Sequence, residues 1–222
     1  MMPTIHGMLR SRASRNLWLA EEAGFILDLA PVWQAYRLDD PLAEGAPTNT
    51  RSARFLELNP MGSVPVLVDG DLVLSESLAI NLYLARRYGG DLGPSDDAEN
   101  AAMEQWALFA AASLEAPALA IQNAYGDGKD GSDEGRAAIA EAVGRLERPL
   151  GALEAHLADR RFMVGARFTV ADINTAEVVR YAQAHSPVMN AHPAVDAWLR
   201  ACQARPAFLR MWERRSAEPL RG

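Results

Sequence analysis

Residues 63 to 77 carry three groups that together suit a ligand resembling an amino acid or a short peptide. Glu76 can receive an ammonium group, and the hydroxyl of Ser77 can donate to a carboxylate. Both stand just ahead of an apolar run, Leu78, Ala79, Ile80, Leu82, Tyr83, Leu84 and Ala85, and so at the start of an expected helix. Free N–H groups and a partial positive charge gather there, and a carboxylate is stabilised by both. Upstream, Val64-Pro65 leads into Val66-Leu67-Val68. Pro65 has no N–H to give to a ladder, so it suits the first residue of a strand or an edge. An X-Pro bond in a tight turn is also where a cis peptide occurs. A strand entered in this way leaves the N–H and C=O of Val64 facing outward, where an extended ligand can pair as an added strand. The result is a backbone clamp, a carboxylate seat and an amine acceptor.

The elements that must position these groups are legible on both sides. Asn59-Pro60-Met61-Gly62 is a dense turn signal. Asp69-Gly70 between Val66-Leu67-Val68 and Leu72-Val73-Leu74 marks a hairpin. The run from Leu78 to Ala85 is apolar on nearly every side, so its helix is expected to be covered from two directions. Earlier in the chain, Thr4 to Met8 fits a strand, Leu9 to Ser14 a polar connection, and Arg15 to Ala23 a helix closed by Gly24. Phe25 to Val32 fits a second strand, parallel to the first across the helix. Residues 35–52 read as a long loop, and Arg54 to Leu58 as a short helix. The order βαβ, loop-helix, ββα describes an α+β, thioredoxin-like domain over residues 1–90.

Residues 91–98 read as a linker, and residues 99–222 as an all-α domain. Met103, Trp106, Ala107, Ala110 and Leu114 share a helical face, and Pro117 should kink or end that helix. Residues 134–158 carry Val143, Leu146, Leu150, Leu153 and Leu157 along one face, with a bend expected at Pro149. Thr169 and Asp172 have the spacing of a reciprocal helix cap, with Phe168 and Ile173 placed for its staple, so Asp172 is read as structural. His192-Pro193 starts a final helix that Arg205-Pro206 ends, and a tail through Trp212 packs on the domain.

Lys and Arg number 22 against 29 Asp and Glu, a net charge of −7 with no basic tract. Nucleic acid and anionic membrane surfaces are poor partners for such a chain. The first residues lack a signal-peptide pattern, and no run is long and apolar enough to span a bilayer. The single Cys202 excludes an intrachain disulfide and reads as a buried thiol. The four histidines have no metal-ligand spacing. A soluble cytoplasmic protein is expected.

Asn59-Pro60-x-Gly62-x-Val64-Pro65 followed by Leu74-Ser75-Glu76-Ser77-x-Ala79-Ile80 resembles the glutathione transferase family, in its bacterial, serine-loop, theta- or beta-like form. The resemblance implies glutathione as co-substrate and a cis bond before Pro65. It implies that Val64 binds the cysteinyl backbone and that Glu76 and Ser77 hold the γ-glutamyl end. Ser63 stands where many relatives have a Lys or Gln to meet the glycine carboxylate. Arg37, Arg51 or Arg54 are available to compensate.

Glutathione reacts as a thiolate, and a free thiol has a pKa near ~8.5, so a hydrogen-bond donor to the anion is needed. Some classes use a tyrosine near the end of the first strand, but no tyrosine precedes Tyr36 here. Ser11 falls near the family's serine position, and Ser14 lies about one helical turn later. Either serine is also a plain helix cap, Ser14 more so. Arg12 and Arg15 would add positive potential at the sulfur. A hydrophobic electrophile would lie among Met8, Leu9, Trp106, Phe109, Ser113 and Trp212, although such a stripe serves equally as core. The family forms two-fold homodimers. Three functions fit this scaffold: glutathione conjugation, a non-catalytic ligand-binding or interaction module, and a glutathione-dependent isomerase or peroxidase.

Overall fold

The computed structural model describes residues 2–220. In chain order its elements are β1 (Thr4–Gly7), α1 (Ala13–Ala23), β2 (Asp28–Pro31), α2 (Ala53–Leu58), β3 (Val66–Asp69), β4 (Leu72–Ser75), α3 (Ser77–Tyr88), α4 (Asp97–Phe109), α5 (Glu115–Gly126), α6 (Asp133–Leu157), α7 (Val170–Val179), α8 (Ser186–Asn190), α9 (Pro193–Gln203) and α10 (Pro206–Ala217). The chain divides into two compact units, Met1–Gly93 with Pro206–Gly222, and Pro94–Arg205.

The first unit is thioredoxin-like. Its sheet has the order β2-β1-β3-β4. β1 and β2 run parallel, with Thr4 opposite Asp28, and β3 runs antiparallel to β1, with His6 opposite Val66. The strand expected over 25–32 is shorter because β1 offers only four residues to pair with. Phe25 falls outside the ladder and its ring meets Tyr88 at 5.5 Å. In the hairpin Asp69 pairs with Leu72, so the two-residue loop is Gly70-Asp71, and Gly70 supplies the positive φ of 62°. α1 begins two residues before the expected Arg15, and Gly24 closes it at φ 73°, its N–H on the carbonyl of Ala20.

Two expectations for this unit change. α3 is not buried all round: Leu78, Ile80, Leu84 and Ala85 are buried together with the polar Ser77 and Asn81, while Ala79, Arg86 and Arg87 face solvent. The last residues are not a helical-domain tail. They form the twelve-residue α10, which packs on α1. The Trp18 ring stands edge-on to Phe208 at 4.9 Å, and Glu21 takes Arg210 at 3.1 Å and Arg214 at 2.9 Å.

The second unit is all-helical. Pro117 does not end its helix. It lies in the first turn of α5, where a missing N–H is tolerated. The wider π turn at Ala110–Leu114 ahead of it carries the chain from α4 into α5. α6 likewise runs through Pro149. α7 is buried along its whole length, and its capping box closes as the spacing requires. The Thr169 N–H donates to Asp172 Oδ2 at 3.0 Å, and the Thr169 hydroxyl accepts from the Ala171 N–H at 3.3 Å.

The start of α4 is tied to the loop before α7 by a two-pronged ion pair. Arg167 reaches both oxygens of Glu99 at 2.6 Å each, and the Ser95 N–H and hydroxyl add to it at 2.8 and 2.9 Å. The Arg167 fork, chiefly, holds the Glu99 carboxyl down to about 2. The Glu99 side chain is 16 % exposed and that of Arg167 34 %, so solvent screens part of this interaction. The folded-state pKa is depressed, so the contribution is full above the unfolded value near ~4.5 and disappears as pH falls toward ~2. Arg167→Met should therefore lower stability at pH 7 by about 1–2 kcal/mol. The gap to the parent should close on acidification through that window. Urea titrations at several pH values check this, and a gap independent of pH would show that packing, not charge, is what Arg167 supplies.

Candidate active site

The turn before β3 is built around Asn59. Its side-chain amide donates to the Ser63 carbonyl at 2.8 Å and to Ser63 Oγ at 3.2 Å, and its Oδ1 accepts from the Met61 N–H. Gly62 closes the turn at φ 59°, where a Cβ would lie 2.9 Å from the Thr50 carbonyl oxygen. The Val64–Pro65 bond is cis. Val64 packs its side chain on the cluster of Val32, Phe55 and Val66. Among the described residues neither its N–H nor its C=O has a backbone partner. β3 pairs through Val66 with His6 on one side and Ser75 on the other.

Glu76 and Ser77 follow from β4. Glu76 is the one non-glycine residue at positive φ among the described residues, at φ 69° and ψ 106°. That conformation costs roughly 1–3 kcal/mol, and such outliers collect at ligand sites. Its carboxylate is exposed and has no partner among the described residues. Ser77 is buried, and its hydroxyl oxygen accepts from Arg15 Nη1 at 3.1 Å. Asn16 donates to the Ser77 carbonyl at 2.9 Å and to Asn81 Oδ1 at 2.7 Å. Asn81 returns a bond to the Arg15 carbonyl at 3.3 Å. Arg15, Asn16 and Asn81 are 1 %, 0 % and 0 % exposed. A buried polar cluster thus locks the start of α1 to the start of α3. Arg15 is buried with its guanidinium on Ser77.

The two candidate serines differ in environment. Ser11 is partly exposed. Its hydroxyl donates to the Met8 carbonyl at 2.6 Å, and its oxygen accepts from the Ala13 N–H at 3.1 Å. Ser14 is fully buried in the first turn of α1, and its hydroxyl donates to the Ser11 carbonyl at 3.1 Å. Ser11 and Val64 meet around Gly7. A Cβ placed on Gly7 would lie 3.0 Å from the Ala13 Cβ, 3.5 Å from Ser11 Oγ and 3.6 Å from the Val64 Cβ. The end of β1 therefore has the Ser11 hydroxyl and the Val64 side chain on its flanks, and a side chain at Gly7 would crowd Ala13.

Of the arginines considered for a glycine carboxylate, Arg37 is half-buried and donates to the Arg10 carbonyl at 2.6 Å, while Arg51 and Arg54 are exposed. Ser63 is exposed, with its oxygen on Asn59. His6 lies in a cleft of about 460 Å³ on the α2 side of the sheet, with Val32, Thr48, Arg54 and Phe55. Burial, and then Arg54, hold its imidazole below the ordinary value. In the first unit Met8 and Leu9 are buried and Trp212 stacks on Phe208 at 5.4 Å. In the second, Trp106 stands edge-on to Phe109 at 5.3 Å and against His156 at 4.5 Å. Cys202 is buried. Among the described residues no group of His, Cys, Asp or Glu could hold a metal ion, and no helix is long and apolar enough to cross a membrane.

The fold is a thioredoxin-like domain, in which the backbone N–H and C=O of Val64 stay open ahead of β3, joined to a helical unit. Comparison with known proteins agrees. The family models "Glutathione S-transferase, N-terminal domain" and "Glutathione S-transferase, C-terminal domain" match residues 43–86 and 105–206. Glutathione S-transferase 3 of Zea mays is 37 % identical over 217 residues, covering 92 % of this chain and 90 % of the relative. Glutathione transferase F7 of Populus trichocarpa superposes with a TM-score of 0.78 at 25 % identity, covering 96 % of this chain and 99 % of that one. The theta class transferase of Xanthomonas axonopodis pv. citri, solved with glutathione bound, superposes at 0.70 with 28 % identity, covering 94 % and 95 %. The chain belongs to the glutathione S-transferase family. Plant and bacterial transferases both match, so the comparisons give the family and not the theta- or beta-like subclass.

Proposed function

We propose that the protein is a glutathione transferase that uses Ser11 to hold the glutathione thiolate for attack on a hydrophobic electrophile. Glutathione is the co-substrate. Its cysteinyl backbone pairs with the open N–H and C=O of Val64, behind Pro65. Its γ-glutamyl ammonium meets Glu76, and its α-carboxylate meets the start of α3 and the Ser77 hydroxyl. Ser63 or Arg37 is left for the glycine end. On binding, the thiol releases its proton to water. The Ser11 hydroxyl turns from the Met8 carbonyl to the sulfur. The thiolate electron pair then forms the new C–S bond as the electrophile's leaving group departs. Isomerisation or peroxide reduction would draw on the same thiolate. The reaction belongs in the cytoplasm, where thiols are kept reduced. The assembly is read as a two-fold homodimer, the commonest closed form.

One observation carries this reading: the Ser11 hydroxyl and Val64 both border Gly7, at the end of β1. Calorimetry of the seat tests it. Ser77→Ala should weaken glutathione binding by about 1–2 kcal/mol, the range for a hydrogen bond to a charged group. Glu76→Gly should weaken it similarly. Glycine tolerates the positive φ, however, so the same variant should keep its stability or gain up to about 1 kcal/mol. Unchanged affinity in both folded variants would remove glutathione from this seat.

A further inference from the structure

We infer that Glu218 is a positioning residue: its carboxylate holds the loop from which Ser11 presents its hydroxyl. The inference rests on the reading of Ser11 given above.

The loop runs from the end of β1 to the start of α1 and is folded on itself by the Ser11 N–H, which donates to the Met8 carbonyl at 3.0 Å. That turn leaves the N–H groups of Leu9 and Arg10 pointing away from it. Glu218, just beyond α10, takes both. Its Oε1 accepts from the Leu9 N–H at 2.8 Å and its Oε2 from the Arg10 N–H at 2.6 Å. One carboxylate spanning two successive amides is a charge-assisted, two-point contact that fixes orientation as well as distance. The Arg10 side chain closes the arrangement from the other side, with Nε on the Glu218 carbonyl at 2.6 Å and Nη2 on the Ser216 carbonyl at 2.7 Å. Arg37 holds the Arg10 carbonyl at 2.6 Å. Leu9 and Arg10 are thereby tied down, and the carboxylate that holds them comes from more than 200 residues away.

A simple tail staple would look similar, but α10 does not need one. Phe208 against Trp18, the buried Met211, and Arg210 and Arg214 on Glu21 already dock that helix. Both hydrogen bonds of the Glu218 carboxylate fall on the loop. The Ser11 hydroxyl must exchange the Met8 carbonyl for a sulfur, and a hydrogen bond favours the thiolate only if its donor is held in place. A loop free to drift would let water compete for both partners.

Glu218→Ala and Glu218→Gln test this in the full chain. Gln keeps one acceptor oxygen and sets its NH₂ against the other amide, so it should act in the same direction and less, and it carries the test if the Ala variant does not fold. In Glu218→Ala the Leu9 and Arg10 amides should exchange hydrogen faster. The thiol of bound glutathione, followed by thiolate absorbance against pH, should titrate about one unit higher, so that kcat/KM falls about tenfold below the parent's thiol pKa. Glutathione affinity should stay within about threefold. Faster amide exchange with an unmoved titration would overturn the inference, and so would unchanged exchange. Ser11→Ala measured alongside separates the two claims. If it leaves the titration unmoved, the reading of Ser11 fails. If it moves the titration and Glu218→Ala does not, only the role of Glu218 fails. In the Ser11→Ala background the Glu218 effect on the titration should vanish, and its persistence would overturn a route through Ser11.

Discussion

Ser11→Ala should leave glutathione bound and raise the pKa of its thiol by about two units, a loss of roughly 2.7 kcal/mol of preference for the thiolate. The geometry supports a donor of that strength. The Ser11 oxygen accepts from the Ala13 N–H at 3.1 Å. A hydroxyl that accepts in this way donates more strongly in turn. It also stands at the N-terminus of α1, whose partial positive charge favours an anion. Against this, the hydroxyl must leave the Met8 carbonyl, now at 2.6 Å, so the measured effect is a difference between two bonds. Ser14→Ala is the control. Its hydroxyl is buried on the Ser11 carbonyl, so its loss should cost about 1 kcal/mol of stability and leave the thiol where it was. Thiolate absorbance against pH for the three proteins decides the matter. An unmoved titration in Ser11→Ala would pass activation to backbone N–H groups or to Arg12.

Asp172→Ala should be the most destabilising single change, by about 4 kcal/mol. The Asp172 carboxylate serves four donors from three stretches of chain. Oδ1 accepts from the Trp198 indole N–H and from the Met163 N–H, each at 3.0 Å. Oδ2 accepts from the Thr169 N–H at 3.0 Å and from its hydroxyl at 3.4 Å. Burial holds its carboxyl above the usual carboxylate range against the pull of these donors. Removing the acceptor strands three buried N–H groups, each costing about 1–3 kcal/mol, besides uncapping a helix buried along its whole length. Asp172→Asn keeps the shape and one acceptor oxygen, so it should lose about half as much. Urea unfolding followed by tryptophan fluorescence, with exchange of the Met163 and Thr169 amides, reads this directly. A loss below about 1 kcal/mol in the Ala variant would mean that water replaces the carboxylate, and the cap would not be the keystone of the helical unit.

The sequence by itself determined what neighbours along the chain decide. The Asn59–Gly62 turn, the Val64-Pro65 entry, the hairpin, the Gly24 stop and the Thr169–Asp172 cap each depend on residues within about five positions, where backbone sterics and single hydrogen bonds act. Glu76 and Ser77 were legible for the same reason, since a helix start is a local event. The tertiary structure alone decided the rest. α10 reads as a tail in sequence because it is rich in charge, with Arg210, Glu213, Arg214 and Arg215 around a narrow apolar stripe of Ala207, Phe208 and Met211, and that stripe becomes a helix face only against Trp18. Pro117 by its spacing predicts a kink or an end, because the sequence cannot show that a π turn precedes it. Two serines stood in one loop with equal chemistry, and only burial gave them different surroundings. Asn16 and Asn81 carry no motif, and Glu218 none either. Their partners lie 61 to 209 residues away, and only the closing of the chain on itself gives such side chains a task.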